Sequence, residues 1–445
     1  MTDKRRQPII SVLGHVDAGK CVGPDTRIQL ADGSVETAED LFEDWRERGT
    51  KKDTQTGEVY ELSQGPEIFG VDGNKVKKCE ITHLWKLYKD QLLNFSLKDG
   101  SSIKITPEHP FLTVENGKLK FKEAGKLERG DFVAIPEKIP AEKLSMDDLK
   151  SEVLKELGCD KCMLAFVTPD FAEKLYGIGK EMEDELLTDF IDTCKMDNRF
   201  RIKDIVKICE NSGISLKEAY EEIEAVKQAT LKQRAGKTSK KISLPRSIEE
   251  FRELAYACGL LLGDGDSTAR KLSNNSKEIK EEFCEALETS LRVPTKVIPE
   301  EERVDRVEIL CGKTFWRVLN CLFDYPKNEK SRDISLSSFS LKLPRSILAE
   351  LISGYMDADG YVSKNGKVKV MSASREMITT LKTALKEFAV HGKIKERDEF
   401  YELIISGRHN LYNFRQISFR NDDKREKFKS SLQTASTNSL TDIVP

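Results

Sequence analysis

LPRSIEEF (residues 244–251) leads into ELAYACGLLLGDGDS, and LPRSILAE (343–350) leads into LISGYMDADGYVS. The same apolar helix, ending in an acid and a glycine, is thus written twice, and mixed strand and helix text follows each copy. That duplication predicts two similar αβ subdomains in tandem, facing each other across a pseudo-twofold axis. Small residues along both helices let them pack closely, which brings the terminal carboxylates together. Carboxylates that close call for a divalent cation, because like-charge repulsion would otherwise protonate one of them. Magnesium held there and bridging a scissile phosphate makes a phosphodiesterase site.

The 445 residues leave room for about two to four domains. Residues 21–140 read as an all-β unit, in which short alternating segments are separated by ADG, VDG, KDG, ENG and ERGD turns. Residues 141–243 change to helical periodicity, as in DLKSEVLKEL and SLKEAYEEIEAVKQATLKQ. Within them IKDIVKICENSGISLKEAYEEIEAV has the cadence of helix, tight turn, helix, a common linker pattern and also a DNA-reading one. The duplicated region fills 244–430, with subdomains at about 244–340 and 341–430, and leaves 431–445 as a tail. The predicted class is α+β.

A net charge of -3 rules out a global basic field, so any nucleic-acid contact must be a local patch. Between Ala225 and Ile248 seven Lys or Arg occur with no acid, and Lys232, Arg234, Lys237, Lys240 and Lys241 are candidate DNA contacts there, joined by Lys342 and by the run 420–429. A solvated charged face is the competing reading of both segments. Ten cysteines at irregular spacing, without a leader resembling a signal peptide, suggest reduced thiols and a cytoplasmic location. Cys159 and Cys162 form a lone CxxC with no second pair at zinc spacing. No stretch approaches the length of a membrane span.

The amino end carries a different text. GHVDAGK follows the apolar run QPIISVL, so Gly14, Gly19 and Lys20 fit a phosphate loop that cradles a nucleotide. Cys21 stands where the magnesium-binding hydroxyl belongs, and Gly23, Pro24 and Asp25 break the chain where a helix should open. An insertion between Lys20 and that missing hydroxyl accounts for both departures, and residues 1–20 are too few to fold alone. A cysteine directly after a scissile peptide can attack the preceding carbonyl and turn an amide into a thioester, given a base or a polarised amide. SIKITPEHPFLTV offers Thr106 and His109 in a turn set by Pro107 and Pro110. The histidine can donate to the departing amide nitrogen while the threonine hydroxyl holds the amide in place. A satisfied turn histidine is the plainer alternative.

Cys21 with V-x-P-D-T-x-I after it, together with TPEHPFLTV, resembles the N-terminal splicing blocks of an intein, which implies the horseshoe-shaped β fold shared with Hedgehog-type autoprocessing domains. RQPIISVLGHVDAGK resembles the GTPase domain of the archaeal and eukaryotic translation initiation factor five B. The repeat is similar to the two LAGLIDADG motifs of homing endonucleases. That resemblance implies cleavage of double-stranded DNA at the intein-less host gene, with Mg2+ held by catalytic Asp264 and Asp359. The intein resemblance implies an acyl shift by Cys21 at the Lys20-Cys21 junction, assisted by Thr106 and His109. GTP and the ribosome would be partners of the rejoined host polypeptide only, and no membrane is expected. The family places a lysine before the second motif, and Lys330, Arg332 and Lys342 all stand as candidates. The C-terminal splicing segment is expected to begin where LTDIVP stops, since His409-Asn410 precedes Leu411, which offers no nucleophile. The alternative reading is an element with a decayed nuclease that at most binds DNA and splices only with a partner fragment.

Overall fold

The computed structural model describes residues 7–12, 21–52, 57–72, 75–89, 91–182, 198–229, 240–299, 306–327 and 330–434. Gly14, Gly19, Lys20, Lys232, Arg234 and Lys237 lie outside them. The chain divides into two units, one comprising residues 1–142, 384–396 and 441–445, the other 143–383 and 397–440.

The first unit is built of short antiparallel strands: β1 (Gln7–Val12), β2 (Arg27–Gln29), β3 (Val35–Thr37), β4 (Thr50–Lys52), β5 (Gly57–Glu61), β6 (Glu67–Asp72), β7 (Lys75–Glu80), β8 (His83–Lys89), β9 (Leu93–Ser96), β10 (Ser102–Ile105), β11 (Pro110–Glu115) and β12 (Lys118–Glu123). Turn chemistry sets the register. Asn116 and Gly117 both take positive φ, 53° and 74°, as a two-residue hairpin turn requires, and Glu115 then sits opposite Lys118. Gly33 and Gly100 supply left-handed positions after Asp32 and Asp99. One sheet runs β1-β8-β5-β4. Its helix, Ala38–Arg46, is capped by Thr37 and buries Leu41 and Phe42 against Leu62, Ile81 and Leu84.

Residues 143–229 add a three-stranded sheet to the helices expected across 141–243. Helices Met146–Gly158, Pro169–Glu181, Ile202–Ser212 and Leu216–Glu221 are present, and the turn between the last two holds Gly213 at φ 74°. Strand Met163–Val167, however, pairs antiparallel with Arg199–Arg201 on one side and Ile223–Gln228 on the other. Helical periodicity in SLKEAYEEIEAVKQ ends at Glu221, after which β-branched Ile223 and Val226 are fully buried in the sheet, where their stiff side chains pack best.

The repeat yields two long helices, Ile248–Asp264 and Arg345–Asp359. Ser247 caps the first by accepting from the Glu250 N–H. A sheet follows each: Lys271–Ser273, Arg306–Ile309 and Thr295–Ile298 after the first, Gly360–Val362, Val368–Ser372 and Tyr401–Ile405 after the second. The helices cross backbone to backbone. A Cβ on Gly259 would lie 2.2 Å from the Leu351 carbonyl oxygen, and one on Gly354 would lie 2.2 Å from that of Tyr256. Gly259→Ala or Gly354→Ala must therefore force the helices apart. We expect a loss of about 3 kcal/mol, read as a lower denaturant midpoint. Gly177→Ala is the control: its Cβ would meet nothing within 4 Å, and it should gain roughly 1 kcal/mol from helix propensity.

Candidate functional site

Two constellations of reactive groups form, one in each unit. In the first unit Cys21 is buried at 1% exposure beside Leu87, with Trp85 and Leu92 packed against the pair. Its N–H donates to Thr106 Oγ1 at 3.3 Å, and the Thr106 N–H donates back to the Cys21 carbonyl at 3.1 Å. The turn expected after β10 is present: His109 N–H donates to Thr106 O at 3.1 Å, and Gly125 N–H to Pro107 O at 2.7 Å. Further ties hold the cysteine in register, a Val22–Ile105 bridge and a Gly23 N–H to Lys104 O bond of 2.8 Å. The His109 ring rests edge-on against Phe111, centroids 6.0 Å apart. Cys21 N is the nitrogen of the Lys20-Cys21 peptide, so the fully buried Thr106 hydroxyl sits against the bond that an acyl shift would break.

In the second unit, Asp264 and Asp359 end the two crossed helices. Gly263 makes their approach possible, because a Cβ there would meet Ala358 Cβ at 2.3 Å and Asp359 Cγ at 3.3 Å. Burial raises the pKa of Asp264, while Asn274, donating to its Oδ2, pulls the other way. Burial pushes the Asp359 carboxyl up to about 6, and the Asp264 charge adds to the rise. Of the three basic residues that sequence reasoning left open, Lys330 lies at the helix ends. Its Nζ donates to the carbonyls of Gly263 and Gly265, and burial pushes its ammonium down to about 8 against the pull of Asp359 and Asp264. Lys342 instead pairs with Glu152 at 3.4 Å. A cavity of about 500 Å3 opens beside the carboxylates, lined by Gly263, Gly265, Lys330, Asp359 and Ser372 among others.

Lys424 belongs to the same cluster, whereas sequence reasoning had singled out only the run 420–429, and as a phosphate contact. It projects from helix Asp422–Thr434 onto the carbonyls of Met356, Asp357 and Ala358, and its charge acts on Asp264 and Asp359. Lys330 follows Asp264 at nearly the spacing by which Lys424 follows Asp359, so a longer-range comparison of the two copies could have found it. Asp357 turns away from the cavity. Its Oδ2 accepts from Tyr256 Oη at 3.0 Å and from the Arg420 N–H at 2.9 Å, which fixes the turn that leads into the Lys424 helix.

Several proposed phosphate contacts are corrected. Arg420 stacks on Tyr256, 3.9 Å from the ring centroid, and is held by Glu253 and Glu350, so it is neutralised inside the fold. Arg246 is spent on the carbonyls of Tyr220, Glu221 and Ile223. Lys241 lies over the Phe166 ring and, like Lys240, is exposed. His409 and Asn410 fall in helix Arg408–Phe414, where buried Asn410 donates to Ser406 O.

Among the described residues no group of three or more His, Cys, Asp or Glu side chains is arranged to hold a metal ion. The donors at the helix ends are two carboxylates and carbonyl oxygens, all hard. That set suits magnesium, which commonly takes one or two protein carboxylates and completes its shell with water and substrate phosphate. Burial raises both carboxyls, and at Asp359 the Asp264 charge adds to the rise, so a bound cation would favour the ionised forms that burial now opposes. No described helix is long and apolar enough to cross a membrane.

Comparison with known proteins matches residues 28–437 to the intein splicing domain family. Elongation factor 2 of Methanopyrus kandleri is 33% identical over 99% of the chain, and the probable translation initiation factor IF-2 of Thermococcus kodakarensis is 32% identical over 97%. The chain spans 35% of the length of each. Among solved structures, the TvoVMA intein is 26% identical over 26% of this chain and 71% of its own, with a TM-score of 0.25. Variants of the homing endonuclease I-DmoI are 15% identical over 43% of this chain and 99% of theirs, with a TM-score of 0.28. The family match spans nearly the whole chain and takes in both Thr106 and His109. The chain belongs to the intein splicing domain family.

Proposed function

We propose that the second unit is a LAGLIDADG homing endonuclease, which cuts double-stranded DNA at the uninterrupted host gene around the Gly19-Lys20 codons. The observation that carries this reading is the meeting of Asp264 and Asp359 at the end of two glycine-packed helices, with Lys330 and Lys424 beside them. Mg2+ is the proposed cofactor, held by Asp264 and Asp359, and when bound it supplies charge neutralisation at the scissile phosphate. Of the chain's own groups, the two carboxylates orient the phosphate-binding centre. The buried ammoniums of Lys330 and Lys424 face the charge that develops as the phosphodiester breaks. Lys240 and Lys241 remain the described candidates for backbone phosphates, and Lys232, Arg234 and Lys237 complete the set.

In the first unit we assign the acyl shift to Cys21. Its Sγ attacks the Lys20 carbonyl carbon, the C–N bond to Cys21 breaks, and the amine leaves with a proton as the thioester forms. Thr106 holds the nitrogen and His109 delivers the proton. The host is read as an initiation-factor GTPase, which binds GTP and works on the ribosome in the cytoplasm only after splicing has restored its phosphate loop.

The test is incubation of the chain with Mg2+ and a DNA carrying the uninterrupted phosphate-loop junction, beside a DNA with that junction scrambled. Site-specific double-strand cleavage, abolished by EDTA, is expected. Binding without cutting would favour the decayed-nuclease reading instead. Lys330→Met should slow cutting roughly a hundredfold while leaving DNA affinity nearly unchanged, because the lysine is buried at the chemistry and contributes little to docking.

A further inference from the structure

β1 is not part of the splicing fold by sequence: residues 7–12 belong to the host phosphate-loop text. It nevertheless pairs antiparallel with β8 along six positions, Gln7 opposite Lys89 through Val12 opposite Leu84. Among the described strands β1 is the outer member of the β1-β8-β5-β4 sheet. Pro8 suits that place, since a strand at a sheet edge has one side on which a missing N–H costs nothing.

The acceptor strand is the one that walls in the nucleophile. Leu87 is the buried partner of Cys21 and Trp85 packs against the pair, while Ile9 lies opposite Leu87 and Ser11 opposite Trp85 in the ladder. From the other side β8 is fixed by β5, with Val59 opposite Trp85 and Gly57 opposite Leu87. Lys86 anchors it to helix Ala38–Arg46 through Glu43 at 3.0 Å and the Phe42 ring at 5.2 Å. Only the β1 side of β8 depends on polypeptide from outside the splicing domain.

We infer that the splicing domain uses β8 as an acceptor edge for the host segment ahead of the junction, and that this added strand braces the pocket of Cys21. Main-chain pairing of this kind needs little side-chain complementarity, so the edge takes a host strand for its β-forming character rather than its exact residues. Excision removes β1 and leaves β8 as an open edge. This rests on the reading of Cys21 as the acyl-shift nucleophile and of residues 1–20 as host.

The experiment uses the full chain and has two readouts. Amide hydrogen exchange reads the ladder directly, and thiol-induced release of residues 1–20, followed by mass spectrometry, reads the acyl shift. Ile9→Pro and Ile10→Pro are compared because alternate residues of an edge strand turn their N–H to the partner, so one of them must delete a ladder bond. We expect slow exchange at those amides of 84–88 that face β1 rather than β5, lost in the variant that breaks the ladder, with release slowed roughly tenfold in that variant and little changed in the other. Replacing residues 7–12 by a Gly-Ser stretch of equal length should slow release at least as much, and replacing them by an unrelated Val- and Thr-rich stretch should restore it. Rapid exchange at the β1-facing amides of 84–88 in the parent chain overturns the pairing. Protected amides with equal release rates in all variants overturn the bracing role. If the parent releases nothing while its ladder is protected, the Cys21 reading fails and the bracing role with it, but the acceptor edge stands.

Discussion

Asp359→Asn is expected to lower the rate of Mg2+-dependent DNA cleavage by on the order of a thousandfold or more, the equivalent of about 4 kcal/mol of transition-state stabilisation. Asp264→Asn should do the same, because a cation shared by both carboxylates is lost when either becomes neutral. The substitution also has an effect without DNA, which separates a metal-site role from simple misfolding. The Asp359 carboxyl stands at about 6, above its ordinary 3.8, because burial and the Asp264 charge both disfavour ionisation. The metal-free folded chain thus holds a proton that the unfolded chain has released between those values. Linkage then makes stability fall as pH rises from about 4 to about 6, and the deficit persists at neutral pH. Asp359→Asn removes the deficit. Without metal the variant should melt above the parent at pH 7, the difference should vanish near pH 4, and added Mg2+ should raise the Tm of the parent only. A variant that melts below the parent at pH 7 would mean that Asp359 is held by its neighbours as an ordinary structural carboxylate.

This site was legible in the sequence as far as the repeat reached. Glycine spacing and the terminal acids are local features, so Asp264 and Asp359 could be named before any coordinates, and the backbone approach at Gly259, Gly263 and Gly354 follows from the same letters. The lysines were legible only in part, Lys330 as one of three candidates and Lys424 not by name, because they arrive from distant segments. Lys330 lies in a four-residue helical turn, Lys330–Asp333, whose own sequence carries no signature, and Lys424 depends on the turn that Asp357 holds by accepting from the Arg420 and Asn421 N–H groups. Charge counting failed at Arg420 for the same reason: a basic run says nothing about which acids surround it, and Glu253, Glu282 and Glu350 come from three separate helices.

The insertion was misread for a different cause. Ile223 and Val226 continue a helical period, and only pairing with Met163–Val167 makes them a strand. By contrast, the β unit's turns were written in Asp-Gly and Asn-Gly pairs, and the left-handed φ values at Gly33, Gly100 and Gly117 follow from them. Thr106 and His109 were singled out by spacing alone, but what brings Thr106 to Cys21 is the exchange of bonds between the two residues over a separation of 85 positions.

That contact carries the second large effect. Cys21→Ala is expected to abolish release of residues 1–20 in the presence of thiol, since no other group can form the thioester. Thr106→Val tests the geometry more sharply, because valine keeps the volume of a fully buried side chain and deletes only the hydroxyl that accepts from Cys21 N–H. Losing that bond leaves the scissile amide free to rotate out of line with the thiol and removes an interaction that strengthens once the leaving nitrogen is protonated. We expect release to slow roughly thirtyfold, the equivalent of about 2 kcal/mol. Thr106→Ser, which restores the hydroxyl, should recover most of the rate. Hydroxylamine, which intercepts a thioester once formed, should not rescue Thr106→Val if the acyl shift itself is slowed. It should do so if the defect lies after the shift, and that outcome would move Thr106 from forming the thioester to resolving it.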